Sequence, residues 1–315
     1  MLDFVSFGET MVAFIPHTNT ALRYVDSFGK VIAGAESNTA IGLAKLGCST
    51  GWFSKVGNDE FGEFVIREIR GEGVDTSRVI RDSEHPTGIM FKQFAENKES
   101  SVFYYRKDSA ASTLSPADID PVYIADTRIL MISGITPALS ESCQETIRFA
   151  IHLARENGVQ VCFDPNIRRK LWNEVDAKKV LEPILSQSDI VCLGMNEASL
   201  LTGETTPENA ARNLRDRGAL WIGIKLGSEG AYVADQHRGI HIPAYPISVI
   251  DNIGAGDAFN AGFLFGILEK KNLEDCGRLG TIMGALAVST YGDIEGLPNR
   301  TVLEKLATGF VEATR

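Results

Sequence analysis

The chain has 315 residues, with 31 Lys and Arg against 41 Asp and Glu, a formal charge of −10. That balance excludes the basic face of a duplex binder, and 44% hydrophobic with 23% charged residues excludes wholesale disorder. Membrane and secretory readings fall too: no apolar run reaches the roughly 18 residues of a span, and Met1-Leu2-Asp3-Phe4-Val5 has no basic leader. Five dispersed cysteines, Cys48, Cys143, Cys162, Cys192 and Cys276, form no CxxC pair and argue against a disulfide framework or a zinc site. The expectation is a reduced, cytoplasmic, soluble protein with neither nucleic-acid nor membrane partners.

In chain order, Asp3–Phe7 reads as a strand. Ala35–Leu46 reads as a helix with Ala40, Leu43, Ala44 and Leu46 on its apolar side. Thr50–Val56 is a strand, and Glu60–Arg70 a helix with Phe61, Phe64, Val65 and Ile69 inward. Strands then follow at Arg128–Ile132, Val159–Phe163, Ile190–Leu193 and Leu220–Lys225, alternating with helices at Glu141–Arg155, Ala177–Ser186 and Pro207–Arg217. The last third is mostly helical, over Asp257–Lys270, Gly277–Thr290 and Thr301–Glu312. Such alternation calls for right-handed crossovers and a parallel sheet with helices on both faces.

Two stretches break the rhythm. Thr10–Lys30 lacks a long helical pattern, and Gly88–Arg106 holds two β-like runs, Gly88–Phe94 and Ser101–Tyr105, around the polar turn Glu96-Asn97-Lys98-Glu99. They predict strands outside the main sheet, within about residues 10–34 and 86–108, forming a small lid on a single domain that spans residues 1–315.

The most informative stretch is Asp251-Asn252-Ile253-Gly254-Ala255-Gly256-Asp257-Ala258-Phe259. The β-rich run Ile247–Ile250 feeds a Gly-Ala-Gly turn, and a helix is predicted from Asp257. Glycines permit a sharp turn and close approach, and a helix start offers free N–H groups and the positive dipole end. Together they make an anion cradle. Asp257 itself has two readings: a helix N-cap, or a carboxylate that takes a proton from a hydroxyl attacking a bound phosphate. A dinucleotide fingerprint fails because Phe259 stands where the third glycine would be. No Gly-x-x-x-x-Gly-Lys-[Ser/Thr] occurs either. A second stretch, Ala33-Gly34-Ala35-Glu36-Ser37-Asn38, places small residues before an Ala/Leu-rich helix. It is either a ligand approach or a plain loop capped by Asn38.

Residues 34–47 (GAESNTAIGLAKLG) and 251–268 (DNIGAGDAFNAGFLFGIL) resemble the two signatures of the ribokinase-like (PfkB) sugar kinases, in order and spacing. Residues 194–203 (GMNEASLLTG) resemble the family's Asn-x-x-Glu segment, and 225–233 (KLGSEGAYV) its nucleotide-binding strand-turn-strand. The resemblance implies a three-layer α/β/α sandwich with a β lid, and in-line phosphoryl transfer from ATP to a sugar hydroxyl. Asp257 would be the general base, and the N–H groups of Gly254, Ala255 and Gly256 the anion hole. It further implies that Gly34, Ala35, Glu36 and Asn38 line the sugar site. Gly194, Lys225, Gly227, Ser228, Glu229, Gly230 and Thr281 would serve ATP, together with Gly254 and Gly256. Glu197 would orient hydrated Mg²⁺ if the segment is aligned on Leu201-Thr202-Gly203; alignment on Asn196 would put Ser199 there instead. A monovalent cation requirement is left open.

Within the family, residues 102–112 (VFYYRKDSAAS), 164–172 (DPNIRRKLW) and 291–298 (YGDIEGLP) resemble the 2-keto-3-deoxygluconate kinases. That resemblance implies a carboxylated sugar, phosphorylated to its 6-phosphate, with Arg106 and Arg168 meeting the carboxylate and Asp293 the hydroxyls. Tyr104 and Tyr105 alternate along a strand, so only one of them faces the substrate. Kinases of fructose or tagatose, or a non-catalytic sugar- or nucleotide-binding regulator, are the alternatives. Lid sheets of the family commonly pair between subunits, which implies a homo-oligomer.

Overall fold

A computed structural model describes residues 1–94, 100–251 and 253–313, so the expected turn at Glu96–Glu99 lies outside the described residues. The first strands are β1 (Leu2–Phe7), β2 (Met11–Pro16), β3 (Phe28–Ala33), β4 (Thr50–Phe53), β5 (Lys55–Gly57), β6 (Ile80–Asp82), β7 (Ile89–Phe94) and β8 (Ser100–Tyr105). Six more follow: β9 (Thr127–Ser133), β10 (Gln160–Asp164), β11 (Ile190–Gly194), β12 (Trp221–Lys225), β13 (Ala231–Ala234) and β14 (Gly239–Ile242). The helices are α1 (Ala35–Lys45), α2 (Glu60–Gly71), α3 (Pro121–Ala125), α4 (Glu141–Glu156), α5 (Glu174–Leu185), α6 (Met195–Thr202), α7 (Pro207–Asp216), α8 (Ala255–Leu268), α9 (Leu273–Ala287) and α10 (Arg300–Ala313).

The main sheet runs β14-β13-β12-β11-β10-β9-β1-β4, parallel from β4 to β12 and antiparallel at β13 and β14. Alternate residues of each strand enter opposite layers, as the two-residue period of a strand requires. Val161 and Phe163 pack with α4, α5 and α7 on one face, whereas Cys162 packs with α1, α8 and α9 on the other. This is the mostly parallel three-layer architecture expected from the strand-helix alternation. Helix α8 is apolar around its circumference because it is buried nearly throughout. At Gly262 a Cβ would stand 2.5 Å from Leu279 O, so α8 and α9 approach backbone to backbone.

A separate four-stranded sheet, β3-β2-β7-β8, comes from the two stretches that broke the rhythm. Two expectations need correction. The run Thr50–Val56 is two strands: β4 ends the main sheet, and after Ser54 the chain turns to pair β5 with β6. No strand forms over Ile247–Ile250. There the Ile250 and Asp251 N–H groups both donate to Val288 O, just past α9, at 2.8 and 3.2 Å.

Candidate active site

The carboxyl ends of β10 and β12, the N-termini of α1 and α8 and one face of the small sheet enclose a cavity of about 290 Å³. Parallel α/β sheets place ligands at such strand ends. Alternation along β8 decides between the two tyrosines. Val102 and Tyr104 line the cavity, while Phe103 and Tyr105 face outward at 46% and 65% exposure. Tyr105 meets Phe91 edge-on at 5.8 Å.

Gly254 caps α8 with φ +79°, a left-handed conformation that favours glycine, and a Cβ there would lie 2.7 Å from Asp293 O. The helix starts at Ala255, two residues earlier than expected. Asp257 is therefore its third residue and not its N-cap, and its carboxylate accepts a 2.9 Å hydrogen bond from Asn38 Nδ2. The same amide donates to Asp293 at 3.1 Å. Asn38 Oδ1 is buried with no hydrogen-bond partner, leaving an acceptor for a ligand hydroxyl. Burial pushes the Asp257 carboxyl up to about 7; Asn38 and Arg168 oppose the rise, and the Asp164 and Asp293 carboxylates add to it. Burial likewise raises Asp293 to about 6. Asp257, Asp293, Asn38, Gly34, Ala35, Gly254 and Gly256 all line the cavity.

Two arginines line it as well. Arg106 is buried, pairs with Glu9 and lies 5.6 Å above the Tyr104 ring. Its Nε is buried without a hydrogen-bond partner. Arg168 is exposed and makes no ion pair among the described residues.

On the floor, Asp164 Oδ2 accepts from Lys225 Nζ at 2.8 Å and from Asn260 Nδ2 at 2.6 Å. Burial alone would lower the Lys225 ammonium, but the Asp164 and Glu197 carboxylates outweigh it and raise it. Glu197 accepts from the N–H groups of Ile167 and Gly194, both at 2.7 Å, and lines the cavity. Asn196 beside it is exposed. Burial raises the Glu197 carboxyl, and the nearby Asp164 adds to the rise.

Other expected site residues lie apart from this lining. Glu36 is buried in the first turn of α1, and its Oε1 accepts from Ser133 and from Thr136 at 2.5 and 3.0 Å. Gly227, Ser228 and Glu229 form an exposed turn after β12, closed by Gly230. Thr281 is buried on α9, its hydroxyl donating to Arg278 O. Ala255 and Gly194 contribute backbone next to lining residues without lining the cavity themselves. Sequence reasoning passed over Glu9, Asp164 and Asn260. Asp164 carried one usable signal, an acid at the carboxyl end of a parallel strand.

The model of the pfkB family carbohydrate kinases matches residues 1–300. The chain belongs to this family. It is 41% identical to 2-dehydro-3-deoxygluconokinase of Bacillus subtilis strain 168, over 100% of this chain and 97% of that protein. The enzyme of the same name from Thermoproteus tenax is 35% identical, over 97% and 94%. A solved 2-dehydro-3-deoxygluconokinase from Thermotoga maritima superposes with a TM-score of 0.92 at 27% identity, covering 98% of both chains. As a pfkB family member the chain is a carbohydrate kinase with the ribokinase-like fold.

Proposed function

We propose that this kinase transfers the terminal phosphoryl group of ATP to the 6-hydroxyl of 2-keto-3-deoxygluconate. The observation that carries the reading is one cavity holding both a carboxylate at the start of α8 and two arginines. The arginines suit a substrate carboxylate, which an uncharged sugar lacks. Tyr104 adds an apolar wall with a polar tip. The relatives named for 2-dehydro-3-deoxygluconate, another name for the same keto acid, support the assignment.

Asp257 takes the proton of the attacking hydroxyl as the new O–P bond forms and ADP departs. Its carboxyl at about 7 is matched to that task near neutral pH. The N–H groups of the 254–256 turn and the positive end of α8 stabilise charge on the phosphoryl group in flight. The small sheet is the lid that excludes water, which would otherwise accept the phosphoryl group.

Among the described residues no group of three or more His, Cys, Asp or Glu could hold a metal alone. Mg²⁺ commonly takes one or two carboxylates plus phosphate oxygens and water, and Glu197, fixed by two backbone N–H groups, fits that demand. Glu197 would hold the ion through water; the ion supplies neutralisation of phosphate charge. Lys225, already engaged with Asp164, would reach the phosphates from the floor.

The outward side of β8, where Phe103 and Tyr105 are 46% and 65% exposed and Tyr105 meets the Phe91 ring, supports pairing between two copies. The test of the substrate reading is MgATP-dependent ADP release across the keto acid, its galactonate epimer, fructose and ribose. The keto acids should turn over far faster than either neutral sugar.

A further inference from the structure

The inner face of the lid is apolar, built from Met11, Ala13, Ala33 and Met90. Lys92 interrupts it. The two-residue period of β7 puts Lys92 on the same face as Met90, and the side chain is only 3% exposed. Its ammonium pairs with the carboxylate of Asp251, itself buried, on the segment that leads into the 254–257 turn. Asp251 stands three residues before Gly254 and is held from behind by its N–H bond to Val288 O. Lys92 also lies close enough to Asp293 to draw that carboxyl downward, against the larger upward effect of burial. The ammonium therefore sits where lid, turn and Asp293 meet.

A buried ion pair is costly to build, and apolar replacements of similar volume are often neutral or stabilising. Stability alone does not explain a lysine in this apolar face. We propose that Lys92 is a positioning residue: through Asp251 it latches the lid to the anion-hole turn, so that the N–H groups of residues 254–256 take their working orientation only with the lid in place. The inference rests on the proposed reading of that turn. Lys92 is not among the residues that line the cavity, and it acts through Asp251. Misplacing such a turn by about 1 Å is enough to lower kcat on the order of 100-fold.

The experiment compares Lys92→Met, Lys92→Ala and the double variant Lys92→Met/Asp251→Leu with wild type, on whichever sugar wild type turns over. A wild type silent on keto acids but active on fructose ends the substrate reading and leaves the latch testable on fructose. Lys92→Met strands a buried carboxylate, so its melting temperature should fall. The double variant removes both charges and should recover that temperature. Its kcat should nevertheless stay about 10- to 100-fold below wild type, with the sugar KM changed less than about threefold. Added ethylammonium should restore part of the kcat of Lys92→Ala, where space is left for it, and none of Lys92→Met. A folded double variant with kcat within about twofold of wild type would overturn the latch. So would equal losses in all three variants that track melting temperature and resist rescue.

Discussion

Asn38 and Asp257 are 219 residues apart in sequence and meet in one 2.9 Å hydrogen bond at the start of α8. The same amide reaches Asp293, so one neutral donor holds two buried carboxylates. Asn38 favours the charged form of both.

Removing that donor should move the acid limb of the rate profile. Asp257 must be deprotonated to accept a proton, so kcat/KM should fall below about pH 7 in wild type. In Asn38→Ala the carboxyl loses a bond that favours its charge, and the limb should shift to higher pH. A pH–rate series for the two proteins measures it; an unmoved limb would separate Asn38 from the titration.

Asp257 should also cost stability. Its folded pKa is raised above the unfolded value, so the folded chain binds more protons between about pH 4 and 7, and stability declines as pH rises through that window. Asp257→Asn removes the ionisation. Its melting temperature should exceed that of wild type at pH 8, and the gap should close toward pH 4. Thermal scans at both pH values decide the matter, with a gap independent of pH as the contrary result.

The two arginines should separate by environment. Arg168 is exposed and without an ion pair among the described residues, so Arg168→Ala should raise KM for the keto acid about 10- to 100-fold with little change in melting temperature. Arg106 is buried against Glu9, so Arg106→Ala should raise KM and also destabilise, because Glu9 is left buried without its counter-charge. Kinetics paired with thermal melts resolve them. Equal KM effects on fructose would deny both arginines a role toward carboxylate.

Tyr105 offers the check on self-association. It is 65% exposed on the outer lid face, and Tyr105→Glu should convert a dimer to a monomer in sedimentation while leaving the melting temperature close to wild type. A wild-type chain that sediments as a monomer would remove the proposed interface.

The layered fold was legible because periodicity is local: each run of β11 or α4 declares itself within one element. Where Tyr104 and Tyr105 point was half legible, since alternation says that they differ but only the lid's packing says which is inside. Glu36 misled for a related reason. The family resemblance alone put it at the sugar site, yet helix phase carries its carboxylate to Ser133 and Thr136 while Asn38, two residues on, lines the cavity. Ile247–Ile250 has strand composition but no strand to pair with. The ion pair of Lys92 and Asp251, 159 residues apart, was illegible because a lone lysine in a strand reads as solvent-facing until the sheet order buries it.

The most direct test of the proposed chemistry is ADP release from MgATP with 2-keto-3-deoxygluconate, wild type beside Asp257→Asn. Turnover by wild type, with kcat at least about 100-fold lower in a folded Asp257→Asn, is the expected result. A variant that keeps kcat within about tenfold of wild type would show that the proton goes elsewhere and that Asp257 is not the base.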